Sequence, residues 1–122
     1  MLRTRAVAAG ILLALAVLTG GCASSTDASS DSEGVATVEI AITGDDITPN
    51  GEELAVAVGQ EVDLVVTADA PGEIHVHSDP EQEFTYEGTG DPETFSLSID
   101  RPGQVEVESH SLDRLIVKLV VS

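Results

Sequence analysis

His75 and His77, in the run Glu73-Ile74-His75-Val76-His77, are the residues of this chain best suited to chemistry. A neutral imidazole binds a borderline metal ion through a ring nitrogen at about 2.0 Å. In a β-strand successive side chains point to opposite faces, so the two histidines share one face while Ile74 and Val76 share the other. About 7 Å of strand separates them, and both rings can turn toward one ion if a third ligand arrives from elsewhere. The one remaining histidine is His110. The candidate metal ligands are therefore His75, His77 and His110, with His77 the least constrained of the three. Cu(II) is the favoured ion because copper tops the affinity order for nitrogen and oxygen donors. Two acidic stretches, Asp79 to Glu87 and Glu106 to Glu108, lie beside histidines. From them Glu108 or Asp79 could supply an oxygen ligand or accept a hydrogen bond from a ligand. The same HxH pattern also describes the solvent-facing half of an amphipathic strand that binds nothing.

Other chemistry is not supported. The chain has no glycine-rich phosphate loop leading into a helix, no GxSxG elbow and no HExxH. Ser109, His110, Ser111 and Asp113 crowd one short stretch, too close along the chain to reach triad geometry easily. Glu83 and Glu87 read as solvated surface, and Phe84, Tyr86 and Phe95 as packing residues. The chain is not expected to be an enzyme.

The elements that must position the histidines show period-two alternation. Val38, Ile40 and Ile42 alternate with Thr37, Glu39 and Ala41; then come Leu54, Val56 and Val58, and next Val62, Leu64 and Val66. Phe95, Leu97 and Ile99 follow, then Val105 and Val107, and finally Leu115, Val117, Leu119 and Val121. The last run is apolar on both faces, as an interior strand would be. Turn-forming stretches separate the runs, among them Thr48-Pro49-Asn50-Gly51, Ala70-Pro71-Gly72, Asp79-Pro80 and Asp100-Arg101-Pro102-Gly103. Short strands with a turn every ten residues or so predict an all-β protein, a Greek-key β-sandwich of seven or eight strands.

The chain falls into three parts. Residues 1–21 read as a signal peptide: Arg3 and Arg5 form a positive start, Ala6 to Leu18 an apolar stretch too short to span a bilayer as a mature helix, and Thr19-Gly20-Gly21 lead directly to Cys22. Small residues before a cysteine resemble the lipobox of bacterial lipoproteins, which implies cleavage before Cys22 and lipid attachment to that cysteine. Thr19 departs from the leucine commoner at that position. Residues 22–34 are, apart from Cys22 and Gly34, Ser, Thr, Ala, Asp and Glu without apolar period, the composition of a disordered tether. Residues 35–122 form one domain, which has no cysteine and needs a hydrophobic core to hold it together.

Charge sets further limits. The chain carries 22 acidic and 5 basic residues, a net charge of −17. Such a surface argues against nucleic acid and against direct adsorption to anionic lipid, so contact with a membrane would run through the N-terminal lipid. An acidic coat also keeps an exposed protein soluble, with no ligand involved.

The order of these pieces carries a family resemblance. Val58-Gly59-Gln60-Glu61-Val62-Asp63-Leu64-Val65-Val66, Asp69, Ile74-His75, Phe95-Ser96-Leu97, and Arg101-Pro102-Gly103-Gln104-Val105-Glu106-Val107 leading to His110 resemble a cupredoxin-like domain over most of residues 35–122. The resemblance implies a copper site in which His75 takes the first ligand position and His110 the second histidine. Blue copper needs a thiolate and usually an axial methionine. Val107 stands near the family's cysteine position and Leu115 near its methionine position. Two functions are therefore expected from the sequence. One is an extracytoplasmic, membrane-anchored lipoprotein that binds a metal ion such as copper and is not a blue-copper electron carrier. The other is a metal-free β-sandwich lipoprotein serving interaction or structure.

Overall fold

The computed structural model describes residues 34–122, which form nine β-strands and no helix. The expected signal peptide, Cys22 and all of the expected tether except Gly34 lie outside the described residues. The strands are β1 (Ala36–Thr43), β2 (Asp46–Thr48), β3 (Glu52–Val56), β4 (Glu61–Ala68), β5 (Gly72–Val76), β6 (Gln82–Tyr86), β7 (Glu93–Ser98), β8 (Gly103–Ser109) and β9 (Arg114–Val121). One sheet has the order β2-β1-β4-β7 and the other β3-β9-β8-β5-β6. β1 pairs with β4 and β3 with β9 in parallel; the other neighbours are antiparallel.

The alternating residues form the core. Val38, Ile40, Val62, Leu64, Val66 and Leu97 from one sheet face Val56, Ile74, Val76, Val105, Val107, Val117, Leu119 and Val121 from the other, all buried. Fully burying a Val, Leu or Ile side chain contributes about 1.5–3 kcal/mol, and this row supplies the driving force that a domain without disulfides requires. Phe84 on β6 stacks on Phe95 on β7, with ring centroids 5.3 Å apart, closing the sandwich along the side where these two edge strands meet.

Nine strands replace the expected seven or eight, and the two additions show why. β2 is three residues long and buries only Ile47. In β6, Phe84 and Tyr86 alternate with Glu83 and Thr85 inside an acidic, turn-rich stretch whose composition hides the strand. β9 is an interior strand, as its two apolar faces predicted, lying between β3 and β8. Its alternation is broken once. The register against β8 shifts between Val107 and Glu108, so Ile116 is fully buried and Leu115 pairs with Glu108 rather than joining Val117 in the core.

Gly88, just after β6, has φ +66°, and a Cβ at this position would overlap the backbone carbonyl of Ala70. Only glycine meets both conditions. Leu64→Ala should lower the unfolding free energy by roughly 2–5 kcal/mol in denaturant titration, and Gly88→Ala should also destabilise although it adds only a methyl group. A Leu64→Ala loss below about 1 kcal/mol would contradict a tightly packed core at this position.

Candidate metal centre

β5 lies between β8 and β6, and its register sets the direction of each side chain. Ile74 and Val76 are fully buried against the other sheet, so His75 and His77 stand on the outer face of the five-stranded sheet. Antiparallel pairing places Glu108 of β8 on one side of His75 and Glu83 of β6 on the other. His77 follows the end of β5, but its N–H still donates to Glu106 O, 2.9 Å, which holds it in line with the strand. The chain then turns through Ser78-Asp79-Pro80 and returns as β6. That turn brings Glu81 back beside the two histidines.

The result is a compact donor group. His75, His77 and Glu81 each present one ligand atom, and these atoms all lie within 4.8 Å of one another. The two imidazole centroids are 4.4 Å apart with planes tilted by 41°. His75 Nε2 lies 3.3 Å from Glu81 Oε2, and His77 Nδ1 lies 3.9 Å from Glu81 Oε1. On its other side His77 Nε2 donates to Glu108 Oε2, 2.9 Å. His75 Nε2 is buried and has no hydrogen-bond partner; the nearby Glu81 oxygen is within ion-pair reach but not in hydrogen-bond geometry. A buried polar atom without a partner costs about 1–3 kcal/mol, and a cation seated between the two imidazoles and the carboxylate would remove that cost. Two nitrogens and one oxygen suit a divalent transition ion. Small side-chain movements would bring the donors to the roughly 3.3 Å mutual spacing that bonds of about 2.0–2.1 Å to a tetrahedral ion require.

The surroundings favour a positive charge. Glu106 and Glu108 on β8, Glu83 on β6 and Glu73 on β5 occupy the same outer face. Lys118, on the same face, pairs in register with Glu106 and reaches Glu53 at 3.5 Å. The His77 pKa is raised above the usual 6.5, chiefly by its hydrogen bond to Glu108; desolvation, the next largest influence, opposes the rise, and the charges of Glu108, Glu81 and Glu106 add to it.

The expected ligands are thus distributed unequally. His75 and His77 come together, while His110 lies outside the compact group. It follows β8, donates its N–H to Glu73 O at 3.0 Å, and lines a separate shallow surface with Pro71, Gly72, Thr85 and Ser111. Asp79, an expected oxygen source, is 2.9 Å from Arg101 Nη1 instead. Val107 is fully buried in the core and Leu115 is half-buried on the outer face. Glu81 was not singled out by sequence reasoning. Its spacing of four from His77 across a Ser-Asp-Pro turn is the one local signal that could have pointed to it.

Comparison with solved structures places the fold. A Cu(I) form of an amicyanin mutant matches 74% of this chain and 84% of its own length at 21% identity, with a TM-score of 0.53. The oxidised state of a proline-to-alanine amicyanin mutant matches 73% and 83% at 20% identity, with a TM-score of 0.54. A copper binding protein solved in its apo form by NMR matches 73% and 89% at 14% identity, with a TM-score of 0.55. No family model matches the chain, and no curated protein matches it. Residues 34–122 thus form a cupredoxin-like β-sandwich that carries a His/Glu group able to hold a metal ion on its outer face.

The raised His77 pKa has a defined effect on the metal-free protein. A proton bound more tightly in the folded state stabilises that state below about pH 6.5, and the contribution is lost as pH rises through the higher folded value. His77 should therefore titrate by NMR with a midpoint above 6.5, and Glu108→Gln should lower that midpoint. A midpoint at or below 6.5 in the unsubstituted protein would contradict the Glu108 contact.

Proposed function

We propose that this protein is a lipid-anchored, extracytoplasmic metal-binding protein that holds Cu(II), or another ion with the same donor preference, through His75, His77 and Glu81. The observation that carries the reading is the buried, unpartnered His75 Nε2, which lies 3.3 Å from the Glu81 carboxylate and beside the second imidazole. Copper is preferred on its place in the affinity order for nitrogen and oxygen sites, and the copper-bound amicyanin among the similar folds is in keeping with that choice. Residues 34–122 contain neither Cys nor Met. Without a thiolate the site lacks the ligand that tunes blue copper for electron transfer, so its role is to hold or pass on an ion. Attachment rests on Cys22, the one cysteine of the chain, following small residues after a short apolar stretch. A metal-free interaction lipoprotein is the second reading, and the exposure of His77 and Glu81 on an acidic face, as on any solvated polar face, favours it.

Calorimetric titration of the metal-free protein with Cu(II) and Zn(II) at neutral pH should show one site. His75→Ala and His77→Ala should each weaken it by more than the roughly 10- to 100-fold typical of losing an outer hydrogen-bond partner. His110→Ala should leave it unchanged, and a loss equal to that of His75→Ala would instead bring His110 into the site. Binding should weaken as pH falls through the raised His77 value, because the proton competes with the ion for the ring. Equal, millimolar-range binding by all the proteins would mean that the acidic surface merely collects cations, and the interaction reading would then stand. The copper-loaded protein should show no intense thiolate-to-copper charge-transfer band.

Attachment is tested separately. Mass spectrometry of the mature N-terminus should find lipidated Cys22, and Cys22→Ser should release or leave unprocessed what the natural chain retains at the membrane. An unmodified terminus elsewhere in the chain would remove the lipoprotein reading without touching the metal site.

A further inference from the structure

We infer that Glu108 is a positioning residue that decides which nitrogen of His77 binds the ion: it holds Nε2–H and leaves the Nδ1 lone pair facing Glu81 and His75. This rests on the metal-binding reading above and assigns the ligating atoms within it.

The chemistry of the acceptor carries the argument. An ionised carboxylate has no proton to give, so the 2.9 Å contact between His77 Nε2 and Glu108 Oε2 requires the ring to donate from Nε2. A neutral ring that donates from Nε2 has its lone pair on Nδ1. Nδ1 is the atom that points into the donor group, 3.9 Å from Glu81 Oε1. His75 contributes the opposite atom, Nε2, 3.3 Å from the other oxygen of the same carboxylate. An ion held by His75 Nε2, His77 Nδ1 and Glu81 therefore sits on the Glu81 side of the His77 ring, between β5 and the 77–81 turn. The Glu108 side, between β5 and β8, is closed to it.

Without Glu108 the ring is free to turn over about its Cβ–Cγ bond and to carry its proton on either nitrogen. Its other neighbours are the His75 ring, 4.4 Å away between centroids, and the Glu81 carboxylate, and neither forms a hydrogen bond with it. His77 is 39% exposed, and β8 is the neighbour that meets its Nε2 edge. Glu108 is itself fixed from both sides, paired with His75 across one ladder and with Leu115 across the other, at the point where the β8–β9 register shifts. The regular alternation of β8, with Val107 and Ser109 buried on either side, turns the Glu108 carboxylate outward beside the metal ligand it orients. A ligand whose outer nitrogen is tied to a carboxylate is also a stronger base toward the ion.

Two measurements test this on the purified protein, with Glu108→Ala and Glu108→Gln as variants. The Gln oxygen can still accept from Nε2–H, whereas Ala cannot. In the metal-free protein above the His77 midpoint, two-bond 1H–15N correlation spectra should show His77 protonated on Nε2. Glu108→Ala should mix the tautomers, and Glu108→Gln should restore the single one. With Zn(II) as a diamagnetic probe, the metal-shifted nitrogen of His77 should be Nδ1. Zn(II) affinity should fall roughly 10- to 100-fold in Glu108→Ala and largely recover in Glu108→Gln. Zn(II) on Nε2 of His77, or an unchanged tautomer and affinity in Glu108→Ala, would overturn the assignment while leaving the metal site in place. Absence of any Zn(II) or Cu(II) binding that His75→Ala removes would instead defeat the underlying reading, and the tautomer spectra of the metal-free protein would still judge Glu108.

Discussion

The burial of Ile74 and Val76 governs the rest of the site. Both are completely enclosed between the sheets, and a strand one residue out of register would carry two imidazoles into an aliphatic core. That penalty pins β5 between β8 and β6, and the pinned strand turns His75 and His77 outward together. Each carboxylate that touches them follows from the same register. Glu108 and Glu83 are the cross-strand neighbours of His75, and Glu81 arrives one residue beyond the last registered pair of the β5–β6 hairpin. Hydrophobic burial on one face thus builds a polar site on the other, and no residue of the site has to contribute to the core.

This placement shapes what the site can do. Amicyanin and the apo copper binding protein share the sandwich, and in this chain the donor group stands on the solvent side of a sheet, with side-chain exposures of 18% at His75 and 63% at Glu81. Three protein donors on an open face leave room for solvent or a further ligand to complete the coordination. The acidic surroundings raise the local concentration of cations without fixing any one of them.

Much of the fold was legible along the chain. Alternation in Val38 to Ile42, Val62 to Val66 and Val105 to Val107 marked buried faces because a half-buried strand leaves a period of two in any sequence. The doubly apolar Leu115 to Val121 marked an interior strand for the same reason. β6 escaped notice because its two inward aromatics are set among charges that also suit a loop, and only the stacking of Phe84 on Phe95 shows why it is needed. The bulge in β9 escaped because one extra residue leaves the composition unchanged while reversing which of Leu115 and Ile116 faces the core.

The sequence by itself determined that two histidines share a strand face, that the domain contains no sulfur ligand, and that its surface is strongly acidic. These are properties of residue type and of spacing within one strand, which local geometry dictates. Tertiary structure alone decided the partners. It put Glu81 beside the histidines, gave Asp79 to Arg101, set Glu108 against Nε2 of His77, and left His110 against Glu73 outside the donor group. Those contacts depend on which strands pair and in what register, and that choice is made by the whole core at once rather than by the residues that meet.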